Sequence, residues 1–104
     1  MDEYKIIIET TAEFDLYSIL RYITDNLKEP ISAQRIYTSI KEKVNSLDQL
    51  PQRHPLVRDE ALASRGLRWM PVENYSVFYV VDETNRKVNI LRILYNRRDW
   101  QNII

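Results

Sequence analysis

Pro30 divides two amphipathic segments that lie almost end to end, and this arrangement restricts the fold more than any other feature. Downstream, Ala33, Ile36, Tyr37, Ile40, Val44 and Leu47 recur on one helical face. Gln34, Arg35, Ser39, Lys41, Glu42, Lys43 and Asn45 fall on the opposite face. Upstream, Leu16, Ile19, Leu20, Ile23 and Leu27 repeat at the same period. A residue before proline avoids the α region, and proline suits the first turn of a helix, where its missing N–H has no partner to lose. The first helix must therefore stop, and the second start, near Pro30. Two such helices with almost no linker make an antiparallel αα-hairpin, whose apolar faces need a surface to cover.

Strands supply that surface. Residues 4–9 are short and β-branched and read as a first strand. Thr10 and Glu13 then have the T-x-x-E spacing of a capping box for the first helix. The second helix is predicted to stop near Leu50, before Pro51. Residues 51–66 read as a loop, with a helical turn near residues 59–63. Residues 67–72, 75–82 and 88–95 read as three strands. The middle one is apolar on both faces and belongs at the centre of the sheet. The predicted order is β-α-α-β-β-β, an α+β fold. An antiparallel-dominated sheet carries the N-terminal αα-hairpin on one face. Trp69, Phe78 and Leu91 are candidate core residues.

A chain of 104 residues holds one core, so residues 1–104 are expected to be a single domain. There is no cysteine, which removes disulfides and thiol nucleophiles. One histidine, His54, and one glycine, Gly66, leave no His cluster and no Gly-rich phosphate loop. Neither a metal nor a cofactor is expected. No apolar run is long enough for a membrane span, and the opening MDEYK does not resemble a signal peptide, so a cytoplasmic protein is expected. The formal charge is zero but unevenly spread. Residues 1–30 carry seven acids and three bases, and residues 86–98 carry five bases and no acid.

In order and spacing, several pieces resemble the RelE/ParE superfamily, toxins of type II toxin–antitoxin modules. They are Asp15-Leu16-Tyr17-Ser18-Ile19, Tyr22-Ile23, the Pro30 to Ile36 opening of the second helix, Leu47-x-x-Leu50-Pro51 and Pro55. Leu67-Arg68-Trp69, Asn74-Tyr75-x-Val77-Phe78-Tyr79, and the ending from Ile90 to Trp100 complete the set. The start of the second helix and the Arg97-Arg98-Asp99-Trp100 ending look most like the ParE branch. The resemblance implies a toxin neutralised by a cognate antitoxin. In the ParE branch it implies inhibition of DNA gyrase. In the RelE branch it implies ribosome-dependent cleavage of messenger RNA.

Metal-free RNA cleavage needs a base for the 2′-hydroxyl, a cation for the five-coordinate phosphate and an acid for the leaving oxygen. Arg68 and Arg92 are the candidate cations, because each sits inside an apolar strand where a permanent charge needs a reason. The alternative is that each snorkels outward or pairs with Glu73 or an aspartate. Tyr95, at a strand end where the family carries His or Tyr, is the candidate acid or base. Arg97, Arg98 and Trp100 are candidates for contacting the target. Tyr22, Tyr37 and Arg92 are candidates for contacting the antitoxin. The arginines and the tail are expected to converge on one positive hollow. His54 lies between Arg53 and Pro55 and is not expected to be catalytic. The stretch between helices and sheet has arginines but no lysine, and arginine is a poor proton shuttle. That feature and the neutral net charge favour the gyrase reading over the nuclease.

Overall fold

The computed structural model describes residues 3–96. Its elements are β1 (Lys5–Ile8), α1 (Thr10–Arg21), a π-helical turn (Tyr22–Asn26), α2 (Pro30–Asn45) and α3 (Glu60–Ser64). β2 (Arg68–Val72), β3 (Tyr75–Asp82) and β4 (Lys87–Tyr95) follow. Two 3-10 turns, Ser46–Asp48 and Pro51–Arg53, lead the chain off α2. The strands form one sheet in the order β1-β4-β3-β2. β2, β3 and β4 are an antiparallel meander, and β1 lies parallel to β4 at its edge. The α+β fold is the one predicted, with β3 inside the sheet as its two apolar faces require.

Each face of the sheet has its own core. On the helix side, Ala12, Leu16 and Ile23 meet Ala33, Ile36, Ile40 and Val44, above Met70, Val77, Tyr79, Val88, Ile90 and Ile93. Burying each Leu, Ile or Val contributes roughly 1.5–3 kcal/mol. On the other side, Phe78 and Leu94 pack with Val57 and Leu67, while Trp69 and Leu91 lie half-buried against them. Residue 37 departs from the expected helical stripe, since Tyr37 is 42% exposed.

The capping box does not form. The N-cap of α1 is Glu9, in extended backbone and without a side-chain cap. The reason lies in the sheet. β1 pairs only with the Lys87 to Ile90 part of β4, so the outer edge of β4 would be open beyond it. The start of α1 closes that edge. The Glu9 N–H donates to the Ile90 carbonyl at 2.9 Å, and the Thr11 hydroxyl to the Leu91 carbonyl at 2.8 Å. The Ile93 N–H then donates to the Asp15 carboxylate at 3.0 Å.

The first helix also ends differently. After Arg21 it widens into the π turn, with the Leu27 N–H donating to the Tyr22 carbonyl at 3.1 Å. The wider turn rotates later side chains relative to an α-helix. Ile23 stays buried, but Leu27 is 48% exposed instead of joining the core stripe. Pro30 opens α2 as expected. Asp59 caps α3, its carboxylate accepting from the Leu62 N–H at 3.0 Å.

Candidate functional site

The π turn and the start of α2 stand above the ends of β3 and β4, and a groove of about 800 Å³ runs between them. Ile19, Ile23, Leu27 and Ile36 make its apolar wall. Tyr22, Tyr75 and Tyr95 line it with phenols, and Glu29, Ser32 and Arg35 give it a polar rim. Tyr75 and Tyr95 are cross-strand partners and meet edge to face, with ring centroids 5.6 Å apart. Burial, with smaller contributions from Tyr95 and Tyr22, pushes the Tyr75 phenol above its ordinary range. Tyr75 therefore stays a neutral donor. Arg35 spans from α2 to the β2–β3 turn, 2.8 Å from Glu73. This guanidinium holds the Glu73 carboxyl below its usual range. An apolar trough with a few aimed polar groups is suited to an amphipathic peptide segment.

Tyr95 also borders a second hollow of about 490 Å³ on the opposite face of the sheet, with Trp69, Phe78, Arg58 and Asn96. It is therefore a ridge between two surfaces. The structure brings Tyr22 and Tyr95 to the groove. Tyr37 does not line it and lies on the exposed side of α2.

Arg68 and Arg92 do not converge. Side chains at paired positions of adjacent strands share a face, and consecutive residues alternate. Arg68 pairs with Tyr79, and Arg92 with Phe78, the neighbouring residue. The two arginines therefore leave opposite faces of the sheet. Arg68 points under the 51–54 loop and donates to the carbonyls of Gln52 (3.2 Å) and His54 (2.7 Å). Arg92 reaches round the edge of β4 to Asp15, with Nε at 2.7 Å and Nη2 at 2.9 Å. That fork is sheltered, the two side chains being 23% and 12% exposed. Hydrogen bonding to Asp15 raises the Arg92 guanidinium further above its ordinary value. The single positive hollow expected from the sequence is therefore corrected. A short bulge near Phe78 and Tyr79, together with the early end of β1, sends the two charges to separate structural tasks.

Burial and the nearby Arg53 and Lys43 charges lower the His54 imidazole, so it is neutral at pH 7. Arg97, Arg98 and Trp100 lie outside the described residues. Among the described residues no group of three His, Cys, Asp or Glu side chains is placed to hold a metal ion. No helix among them is long and apolar enough to cross a membrane. Sequence reading missed Asp15, Arg35 and Tyr75. Asp15 had one available signal: it is an acid beside Leu16 at the border of a core-facing stripe. Arg35 and Tyr75 stood only as members of the family pattern, and it is the packing of α2 over the start of β3 that brings them to one groove.

A family model described as the ParE toxin of type II toxin–antitoxin systems, parDE, matches residues 6–100. The chain belongs to the ParE toxin family. It is thus a type II toxin–antitoxin toxin within the RelE/ParE superfamily. Among solved structures, it is similar to the chromosomal ParDE TA system from P. aeruginosa. That likeness is 23% identical, covers 91% of this chain and 98% of that one, and has a TM-score of 0.73. It is also similar to the RelBE2 toxin–antitoxin complex from Mycobacterium tuberculosis, at 26% identity. The coverage there is 91% of this chain and 93% of that one, and the TM-score is 0.67. Both likenesses carry the same fold. No curated protein matches.

Proposed function

We propose that this toxin arrests growth by binding DNA gyrase, and that a cognate antitoxin silences it by laying a segment into the groove beneath the π turn. Family membership over residues 6–100 supports the toxin reading. The observation that favours binding over cleavage is the separation of Arg68 and Arg92. Each guanidinium is engaged within the chain on its own side of the sheet, one on loop carbonyls and one on Asp15. Cleavage without a metal needs cation, base and acid around one phosphate, within hydrogen-bond reach. The absence of a lysine between helices and sheet points the same way. The groove supports antitoxin binding through its apolar wall, its phenols and the Glu29–Arg35 rim.

Expressing the chain alone in bacteria separates the two activities. Filamentation with an SOS response and intact transcripts is the expected outcome. Rapid translation arrest with codon-register cuts in messages would show the RelE-like alternative instead, with Arg68, Arg92 or Tyr95 drawn into a site on the ribosome.

A further inference from the structure

The two edges of the sheet are finished differently. At the β2 edge, Leu56 bridges Arg68, and Pro71 has no N–H with which to pair. At the β1 edge, Lys5 and Glu9 donate their N–H groups inward, to the Arg86 and Ile90 carbonyls, both at 2.9 Å. Backbone groups alternate along a strand, so Ile6 and Ile8 turn theirs away from β4. Those outward groups meet no partner among the described residues. A 3-10 turn covers the edge only at Tyr4, whose N–H donates to the Asp48 carbonyl at 2.9 Å. At the other end the chain turns into α1 at Thr10. The open stretch is therefore residues 5–9, centred on Ile7. Ile6 and Ile8 pack on the helix-side core, whereas Ile7 joins neither core. An apolar edge with no proline, bulge or cover is a template for a further strand.

This stretch is complementary to its own reverse. An antiparallel copy, on a two-fold axis through Ile7, sets Ile6 opposite Ile8, Ile7 opposite Ile7 and Lys5 opposite Glu9. Each Ile6–Ile8 pair then exchanges both of its N–H···O=C bonds. The charges also match. Lys5 is exposed and meets no carboxylate among the described residues, and Lys87 lies beside it in the ladder. Glu9 accepts from the Asn89 side-chain amide at 2.8 Å through Oε2, a neutral donor that leaves its charge and Oε1 to a cation. Glu3 and Tyr4 fall towards Thr11 and Thr10, so no like charges are opposed. A strand of uniform charge would meet a like charge at one end. A parallel copy would set Lys5 on Lys5 and Glu9 on Glu9.

We propose that β1 pairs antiparallel with β1 of a second copy, which joins two four-stranded sheets across an axis at Ile7. So short a seam buries less than the roughly 1,200 Å² of a standard stable interface, so the dimer is weak and concentration-dependent.

Sedimentation equilibrium of the full chain at low salt, over a roughly hundred-fold concentration range, should show a reversible monomer–dimer equilibrium. Lys5→Glu should weaken it roughly ten-fold, because it opposes two carboxylates on both sides of the axis. Amide exchange locates the seam. The Ile6 and Ile8 N–H groups should exchange freely in dilute protein and roughly ten-fold or more slowly as the dimer forms, while those of Lys5 and Glu9 stay protected throughout. The chain has no cysteine, so an introduced thiol reports a single position. Ile7 and its copy form a non-hydrogen-bonded pair with Cα atoms about 4.5 Å apart, within disulfide reach. Ile7→Cys should therefore cross-link on mild oxidation, and Lys5→Cys, about 14 Å from its own copy, should not. Circular dichroism verifies the fold of each variant. A chain that stays monomeric throughout overturns the proposal and leaves the edge to a strand of a different protein. A dimer whose Ile6 and Ile8 amides exchange as freely as in the monomer overturns it equally, as does Lys5→Cys cross-linking as fast as Ile7→Cys.

Discussion

Replacing Asp15 tests how the fold is held more sharply than any core substitution. Its carboxylate accepts three hydrogen bonds: two from Arg92, at 2.7 and 2.9 Å, and one from the Ile93 N–H at 3.0 Å. Bonds to a charged group contribute about 1.5–3 kcal/mol each, though not additively. Asp15→Ala removes all three, so the sheltered guanidinium loses its carboxylate contacts and the Ile93 N–H loses its acceptor. Breaking a fully buried pair from one side costs about 3–5 kcal/mol. With Arg92 still 23% exposed, water offsets part of that, and about 3 kcal/mol is expected. For a domain of this size that lowers Tm by roughly 12–20 °C. Asp15→Asn keeps one acceptor for the Ile93 N–H and should cost about half as much. Urea unfolding of Asp15→Ala, Arg92→Ala and the double variant should give a coupling energy of about 1–2 kcal/mol. A single-variant cost below about 0.5 kcal/mol, or no coupling, would refute the claim that this pair fastens α1 to β4.

Three other outcomes follow from individual residues. Tyr79 is fully buried and donates to the Pro51 carbonyl at 2.7 Å, so Tyr79→Phe should cost about 1–2 kcal/mol in urea unfolding. Burial pushes its phenol up to about 12. The unfolded chain then ionises first, so stability should fall as pH rises from about 10 towards about 12, and less steeply in Tyr79→Phe. Leu50 is 75% exposed at a left-handed φ of 47°, so Leu50→Asn should stabilise by about 0.5–1 kcal/mol, read as a higher Tm. Tyr22 is 55% exposed at the groove, so Tyr22→Ala should leave Tm unchanged while weakening antitoxin binding at least ten-fold by calorimetry.

Much of this architecture could be read from the chain because its two periods are clean. The stripe Ala33, Ile36, Ile40, Val44 and Leu47 is buried as the 3.6 spacing requires, and the residues 75–82 strand is central because both its faces are apolar. Pro30 marked the start of α2 correctly. What failed was local chemistry overridden by distant partners. Thr10 and Glu13 spell a capping box, but the helix starts where β1 runs out, and Thr11 and Asp15 are recruited to the edge of β4. Leu27 fits the stripe in sequence, but the π turn rotates it outward.

The site was less legible than the fold. A charged residue inside an apolar strand invites a functional reading, and Arg92 instead finds an aspartate 77 positions away. Period-2 reasoning also could not place Arg68 and Arg92 on opposite faces, because the bulge between Phe78 and Tyr79 shifts the register between them. The groove is assembled from α1, the π turn, α2, β3 and β4, and no local stretch of sequence announces it.

The most direct test of the central claim is a supercoiling assay with purified gyrase, relaxed plasmid and the purified toxin. The account predicts that the toxin suppresses supercoiling in proportion to its concentration, and that preincubation with the cognate antitoxin restores it. Undisturbed supercoiling at every toxin concentration, with the same preparation cutting messages on translating ribosomes, would contradict it.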